Sequence, residues 1–117
     1  VVIASAVKLP TGKLGRRIIS INELFGYDSN TDSFSYAETF HWDPITDVHE
    51  FTGYMNSYLL ENKGAPARGI PPAQRRKIYL EIDRRSKVLE KLHKSSGISD
   101  FYELYKVLGN AKKQGLF

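Results

Sequence analysis

Ser33-Phe34-Ser35-Tyr36-Ala37-Glu38-Thr39-Phe40 decides the fold class of this chain. Phe34, Tyr36, Glu38 and Phe40 recur at every second position, with Ser33, Ser35, Ala37 and Thr39 between them, which is the period of a strand and not of a helix. The pattern gathers the aromatics on one face and predicts that the small, polar face is partly solvated. Three other segments share its β-branched and aromatic character: Val1 to Val7, Arg17 to Phe25 and Val48 to Phe51. The separators are Thr11-Gly12-Lys13-Leu14-Gly15, Asp28-Ser29-Asn30-Thr31-Asp32 and Asp43-Pro44-Ile45-Thr46-Asp47. Each is turn chemistry, because Asp and Asn side chains bond nearby backbone while Gly and Pro supply unusual or fixed φ. Short connections between successive strands predict antiparallel hairpins, hence a meander of three to four strands.

The pattern changes after Gly53, which ends the fourth strand. Met55, Tyr58 and Leu59 stand at i, i+3 and i+4, predicting a short helix to about Asn62, closed by Lys63-Gly64. Residues 63–72 are rich in Gly and Pro and read as a linker. Beyond Pro71-Pro72 the longest helix is expected, with Ile78, Ile82, Leu89 and Leu92 on one stripe interrupted by Arg85 and with Gly97 as its C-terminal cap. A last helix starts at Ser99 or Asp100, where Asp100 and Glu103 have capping-box spacing, and Phe101, Leu104 and Leu108 form its buried face. Residues 110–117, with Lys112 and Lys113, read as a frayed tail. The expected organisation is therefore α+β: a β-meander with a short helix over 1–62, the linker, the basic and closing helices over 73–109 and the tail, all in one compact subdomain.

Composition narrows the function classes. The chain has 117 residues, about one domain. Its 41% hydrophobic and 26% charged content is ordinary globular usage. The absence of Cys excludes disulfides, thiolate zinc sites and cysteine nucleophiles, and leans toward an intracellular setting. The longest apolar run, Val1 to Val7, is far shorter than the roughly 20 residues that cross a bilayer. Starting on Val1-Val2-Ile3, without Met or a charged leader, the sequence reads as a piece of a longer polypeptide. Val1 to Val7 accordingly reads as part of a larger sheet, with an exposed edge here.

Catalytic chemistry finds little footing. The three histidines, His41, His49 and His93, are scattered. A metal site from His41 and His49 with Asp43 or Asp47 competes with an ordinary polar turn, and no tight ligand spacing favours the metal. Asp28-x-Asn30-x-Asp32 copies the first calcium-loop ligands, but Ser33 replaces the required Gly and Thr39 the closing Glu. Gly12-Lys13 resembles the end of a phosphate loop, yet Val7 stands where the first Gly belongs and Leu14 where Ser or Thr must hold magnesium. Charge is more informative. Between Arg75 and Lys94 eight basic residues, including Arg75, Arg76, Arg84 and Arg85, face three acids, a local net charge of +5 within a total of +4. Such a helix suits phosphates, an anionic membrane surface or an acidic partner; its plainer reading is a solvated face. A small basic nucleic-acid- or protein-binding module is the alternative function, although only Tyr79 offers a stacking ring among those charges.

Phe40-His41-Trp42-Asp43-Pro44-Ile45-Thr46-Asp47-Val48-His49-Glu50-Phe51-Thr52-Gly53, with Ser57-Tyr58-Leu59-Leu60-Glu61 after it, resembles the C-terminal region of archaeal type II/type IV secretion ATPases, the branch that also serves pili and archaella. Gly15-Arg16-Arg17 leading into Ile21-Asn22-Glu23-Leu24-Phe25-Gly26-Tyr27-Asp28, and Gly97-Ile98-Ser99-Asp100-Phe101-Tyr102-Glu103, are similar to segments of the same family, so that the resemblance covers roughly residues 10–108. It departs from the family in lacking Walker A, the acidic boxes, Walker B and the histidine box, in carrying His41 where Arg is more usual, and over Lys63 to Arg68. The resemblance implies a cytoplasmic hexameric ring at the inner face of the membrane that uses ATP and magnesium. This chain would be its non-catalytic C-terminal subdomain and hold no cofactor itself. The implied partners are the upstream ATPase domain, neighbouring subunits and a membrane platform protein; nucleic acid is not expected. Arg16 and Arg17 are candidate trans contacts to a neighbour or its nucleotide, with surface charge as the plainer reading. Trp42, Asp43, Pro44, Asp47 and Gly53 are expected to be structural, Trp42 plugging the sheet beneath the helix expected over Met55 to Leu59.

Overall fold

The computed structural model describes residues 1–116 and has the expected α+β arrangement, a four-stranded antiparallel sheet followed by helices. The strands are β1 (Val2–Lys8), β2 (Leu14–Asp28), β3 (Ser33–Asp43) and β4 (Val48–Glu50), in the order β1-β2-β3-β4. The turns use the residues that marked them: Gly12 sits at φ +84° in the first, and Asp28 Oδ1 accepts from Asn30 N at 2.8 Å in the second. The long strands β2 and β3 run past the expected ends of Arg17 to Phe25 and Ser33 to Phe40.

Two irregularities in the β2–β3 register overturn the expected division of faces. Ile21 pairs with Phe40 and Asn22 with Glu38, which leaves Thr39 as an extra residue on β3; Leu24 pairs with Tyr36 and Gly26 with Ser35, which leaves Phe25 extra on β2. A bulge breaks the period of two, so Phe40 lies on the opposite face from Phe34, Tyr36 and Glu38. There Phe40 stacks on Phe51, ring centroids 4.1 Å apart and planes 3° from parallel. The aromatic face is the open one: Phe34 and Tyr36 are more than 60% exposed. On the other face Thr39, expected to be solvated, is buried. Its Oγ1 donates to Ile21 O at 3.0 Å, and its carbonyl accepts from Gly53 N at 2.9 Å. A Cβ on Gly53 would meet Thr39 Cβ at 2.8 Å, so close approach, and not strand termination alone, requires glycine there.

The chain divides into two compact units, one spanning Val1–Ile78 and the other beginning at Tyr79. In the first, no helix spans Met55, which occupies a turn at φ +60°. Helical structure starts at Tyr58 and continues through a π-turn (Leu60–Gly64) into the short helix α1 (Ala65–Ala67). Lys63-Gly64 thus does not close a helix, and residues 63–72 are not simply a linker. Pro66, which has no N–H to donate, lies where the π-turn passes into α1. Ala65 is fully buried. A 3-10 turn (Pro72–Lys77) leads to α2 (Ile78–Lys91).

In the second unit, α2 runs on through a π-turn (Leu92–Ser96) to Gly97, whose φ of +58° is the left-handed cap that its position predicted. Leu89 is exposed whereas Val88 is half-buried, and Tyr79, outside the expected stripe, is buried. α3 (Phe101–Lys113) is capped by Asp100, which accepts from Glu103 N at 2.9 Å. Leu104, Val107, Leu108 and Ala111 form its half-buried side. Phe101 is exposed instead, its ring against Tyr102 and Tyr105. The expected tail is helical as far as Lys113; Phe117 lies outside the described residues.

Candidate functional site

Trp42-Asp43-Pro44-Ile45-Thr46-Asp47 is the best-defined polar constellation of the first unit. Asp43 builds the turn: Oδ1 accepts from Ile45 N at 2.8 Å, Oδ2 from Thr46 Oγ1 at 2.7 Å, and its carbonyl from Asp47 N at 2.9 Å. The Ile45 amide, then the Thr46 hydroxyl, hold the Asp43 carboxyl below its ordinary pKa. Pro44, with fixed φ and no N–H, suits the second position of such a turn. Asp47 takes φ +55°, a conformation Asp adopts more readily than most residues. That conformation coincides with a carboxylate that receives Arg17 Nε and Nη2, both at 2.8 Å, and Trp42 Nε1 at 2.8 Å. Bonds from the Arg17 guanidinium, then from the indole N–H, push the Asp47 carboxyl far below the carboxylate range.

Trp42, Asp43, Asp47 and Arg17 therefore form one clasp that joins β2, the end of β3 and the turn into β4. Trp42 is buried, and its anchoring partner is a carboxylate rather than a helix over Met55 to Leu59. Arg17 is committed to Asp47, and its Nη1 donates to Arg16 O at 2.9 Å. Arg16 is exposed.

A second link was not visible in the residue pattern. Glu23, from β2, is buried; Ser57 Oγ donates to its Oε1 and Tyr58 N donates to Oε2 at 3.0 Å. Ser57 Oγ also accepts from Leu60 N at 3.1 Å, so Ser57 acts as an N-terminal cap and Glu23 places a carboxylate at the same helical start. Ser57 as a capping type ahead of Leu59-Leu60 was the available signal; Glu23, the one charged residue between Arg17 and Asp28, was the other.

The histidines do not converge on a metal. His41 lies between Glu38 and Glu50, each at 3.1 Å, and His49 Nε2 contacts Ile18 O at 2.9 Å. Among the described residues no group of three or more His, Asp or Glu side chains is placed to hold a metal ion. The Asp28 to Asp32 turn is closed by its own contacts, Tyr27 OH donating to Asp32 among them.

Acids engage six of the eight basic residues of this stretch, which still keeps its net charge of +5. Arg84 and Arg85 both bond Glu81, lowering its carboxyl to about 2. Lys87 pairs with Asp83 and Lys94 with Glu90, four residues apart. Arg75 and Arg76 face Glu61 at 3.8 and 3.2 Å. This is the chemistry of a solvated helix face more than of a phosphate-tracking groove.

Among the described residues no helix is long and apolar enough to cross a membrane. No family model matches the sequence. The chain is 37% identical over 105 residues, 90% of its length, to the uncharacterized protein MJ0900 of Methanocaldococcus jannaschii, and spans 18% of that protein.

Proposed function

We propose that the chain is a non-catalytic C-terminal subdomain of a secretion- or pilus-type traffic ATPase, supporting ring assembly or coupling the ring to partner proteins. The observation that carries this reading is the chemistry of the Trp42 to Asp47 string, the most specific part of the resemblance. The Asp47 carboxylate is committed to the Trp42 indole and to Arg17, and that of Asp43 to the Ile45 amide and Thr46 hydroxyl of its own turn, a scaffold arrangement. The much greater length of the Methanocaldococcus protein is compatible with a nucleotide-binding part elsewhere in such a polypeptide. In this reading ATP and magnesium belong to that part, at the cytoplasmic face of the membrane, and the partners are the upstream ATPase domain, neighbouring subunits and a membrane platform protein. Arg16 is then the better candidate for a subunit contact than Arg17.

Calorimetry and native mass spectrometry test the proposal. Mg-ATP titrated into this chain gives no saturable heat, while the full-length Methanocaldococcus protein binds and hydrolyses Mg-ATP and assembles into a ring. Saturable micromolar binding to this chain alone, or a full-length protein that neither binds ATP nor assembles, overturns it.

A further inference from the structure

Glu23 is a buried carboxylate that no cation of the described residues pairs with. It stands on β2 opposite Ala37 and is 6% exposed. Every ion pair among the described residues uses some other acid. Its hydrogen-bond donors are neutral, the Ser57 hydroxyl on Oε1 and the Tyr58 amide on Oε2 at 3.0 Å. A carboxylate offers about four acceptor sites, so these two donors fill about half of them. Buried charges are ordinarily matched by an opposite charge, and the helical start that Glu23 reaches supplies only a fraction of one.

The same residue lines a cavity of about 350 Å³ together with Phe25, Asn56, Tyr58, Glu61 and Asn62, all within the first unit. That volume is within the range of small-molecule sites, about 300–1,000 Å³. Asn62 Nδ2 is spent on Tyr58 O at 3.0 Å, so its Oδ1 is left to accept. Arg75 and Arg76 both approach Glu61 at Oε1, 3.8 and 3.2 Å away, which leaves Oε2 able to accept. Phe25 and Tyr58, ring centroids 6.2 Å apart and each about half exposed, supply the aromatic part of the lining.

We infer that this cavity binds a primary alkylammonium, the head group of a free polyamine or of a lysine side chain. An ammonium has three N–H donors and no acceptor, and the lining offers it Glu23, Glu61 Oε2 and Asn62 Oδ1. Its charge meets the carboxylate that lacks a cation, and its methylene stem lies against rings whose faces attract cations. A metal ion suits this lining less well: two carboxylates are too few, no group of three ligating side chains converges among the described residues, and the rings offer it no ligand atom. The cavity shares no residue with the Arg17, Trp42 and Asp47 clasp, so the inference stands independently of the proposed function.

Nitrogen-15 NMR of the 117-residue chain, titrated with n-butylammonium chloride against sodium chloride at equal ionic strength, tests it. Saturable millimolar shifts of the Tyr58 and Asn62 amides are expected from the amine and not from the salt. Glu23→Gln, checked for folding by circular dichroism, is expected to weaken binding about tenfold or more, as loss of a charged partner does. Tyr58→Leu, which keeps the backbone amide that Glu23 accepts from, is expected to weaken it about two- to fivefold. Tetramethylammonium, a cation without N–H donors, is expected to bind more weakly than n-butylammonium. Spermidine and Nα-acetyl-lysine amide separate the two sources, the tighter of them marking the natural ligand as a polyamine or a lysine side chain. Shifts that sodium chloride reproduces, or an affinity unchanged in folded Glu23→Gln, overturn the inference. Should Glu23→Gln unfold, unchanged binding in Tyr58→Leu or by tetramethylammonium overturns it instead.

Discussion

Arg17 and Asp47 stand thirty residues apart in the chain and meet as a two-pronged ion pair, each contact 2.8 Å long, whose carboxylate also holds the indole N–H of Trp42. Because all three groups share one carboxylate, their effects on stability are expected to be coupled. Arg17→Ala and Asp47→Asn each lower the denaturation midpoint, and the double variant is little worse than the poorer single one. Additive losses in a double-mutant cycle would show that the pair does not act as a unit.

The clasp also sets a pH dependence. A carboxyl whose folded pKa is depressed contributes stability that is fully present above its unfolded value and lost as pH falls toward the folded one. For Asp47 the loss starts near pH 4, the unfolded range of Asp. Glu81, lowered to about 2 by Arg84 and Arg85, acts over the same acid range. Urea midpoints are therefore expected to hold steady from neutrality to about pH 5 and to fall below about pH 4. Asp47→Asn flattens that fall; an unchanged acid limb in this variant would assign it to other groups.

Much of this architecture is legible in the residues and some of it is not, for identifiable reasons. The hairpin turns, the Gly97 cap and the Asp100 cap are local, decided by a few neighbouring side chains and backbone angles. The strand faces are not local. One extra residue at Thr39 moves Phe40 across the sheet, and nothing within Ser33 to Phe40 announces it, because the Gly53 backbone that pairs with Thr39 is fourteen residues away. The clasp was half visible: Trp42, Asp43 and Asp47 stood out as a turn, but the partner that engages Asp47 comes from β2. The Glu23 to Ser57 link joins distant segments in the same way. The basic helix shows the same limit, because a charge count does not say which acids its cations reach, such as Glu81 for Arg84 and Arg85.

Glycines give a contrast that distinguishes close approach from simple flexibility. Gly53→Ala is expected to cost about 1–3 kcal/mol, because the added methyl meets Thr39 Cβ at 2.8 Å with backbone behind it. Gly109→Ala, in α3 with nothing within 4 Å of the new Cβ, is expected to stabilise by up to about 1 kcal/mol. Chemical denaturation of both variants checks this, and equal effects would contradict the packing at Gly53.

Loss of the Ser57 cap is expected to cost about 0.5–2 kcal/mol in Ser57→Ala, with Leu60 and Tyr58 amides exchanging faster with solvent. Arg75→Ala with Arg76→Ala, at exposed positions, is expected to stay within about 0.5 kcal/mol per site. An Arg pair more costly than Ser57→Ala would place the anchoring of this helical start on the guanidiniums instead.

Trp42 tests the scaffold reading most directly, because it is the only Trp in the chain and 9% exposed. Trp42→Ala is expected to cost about 3–5 kcal/mol, a large share of a stability of about 5–15 kcal/mol. The decisive measurement is acrylamide quenching of Trp42 fluorescence in the native and urea-unfolded chain. The account predicts weak quenching of the native protein that rises to the unfolded level only through the cooperative transition. Native quenching already as strong as in urea, together with a harmless Trp42→Ala, would contradict it and make the Trp42 to Asp47 turn an exposed docking surface.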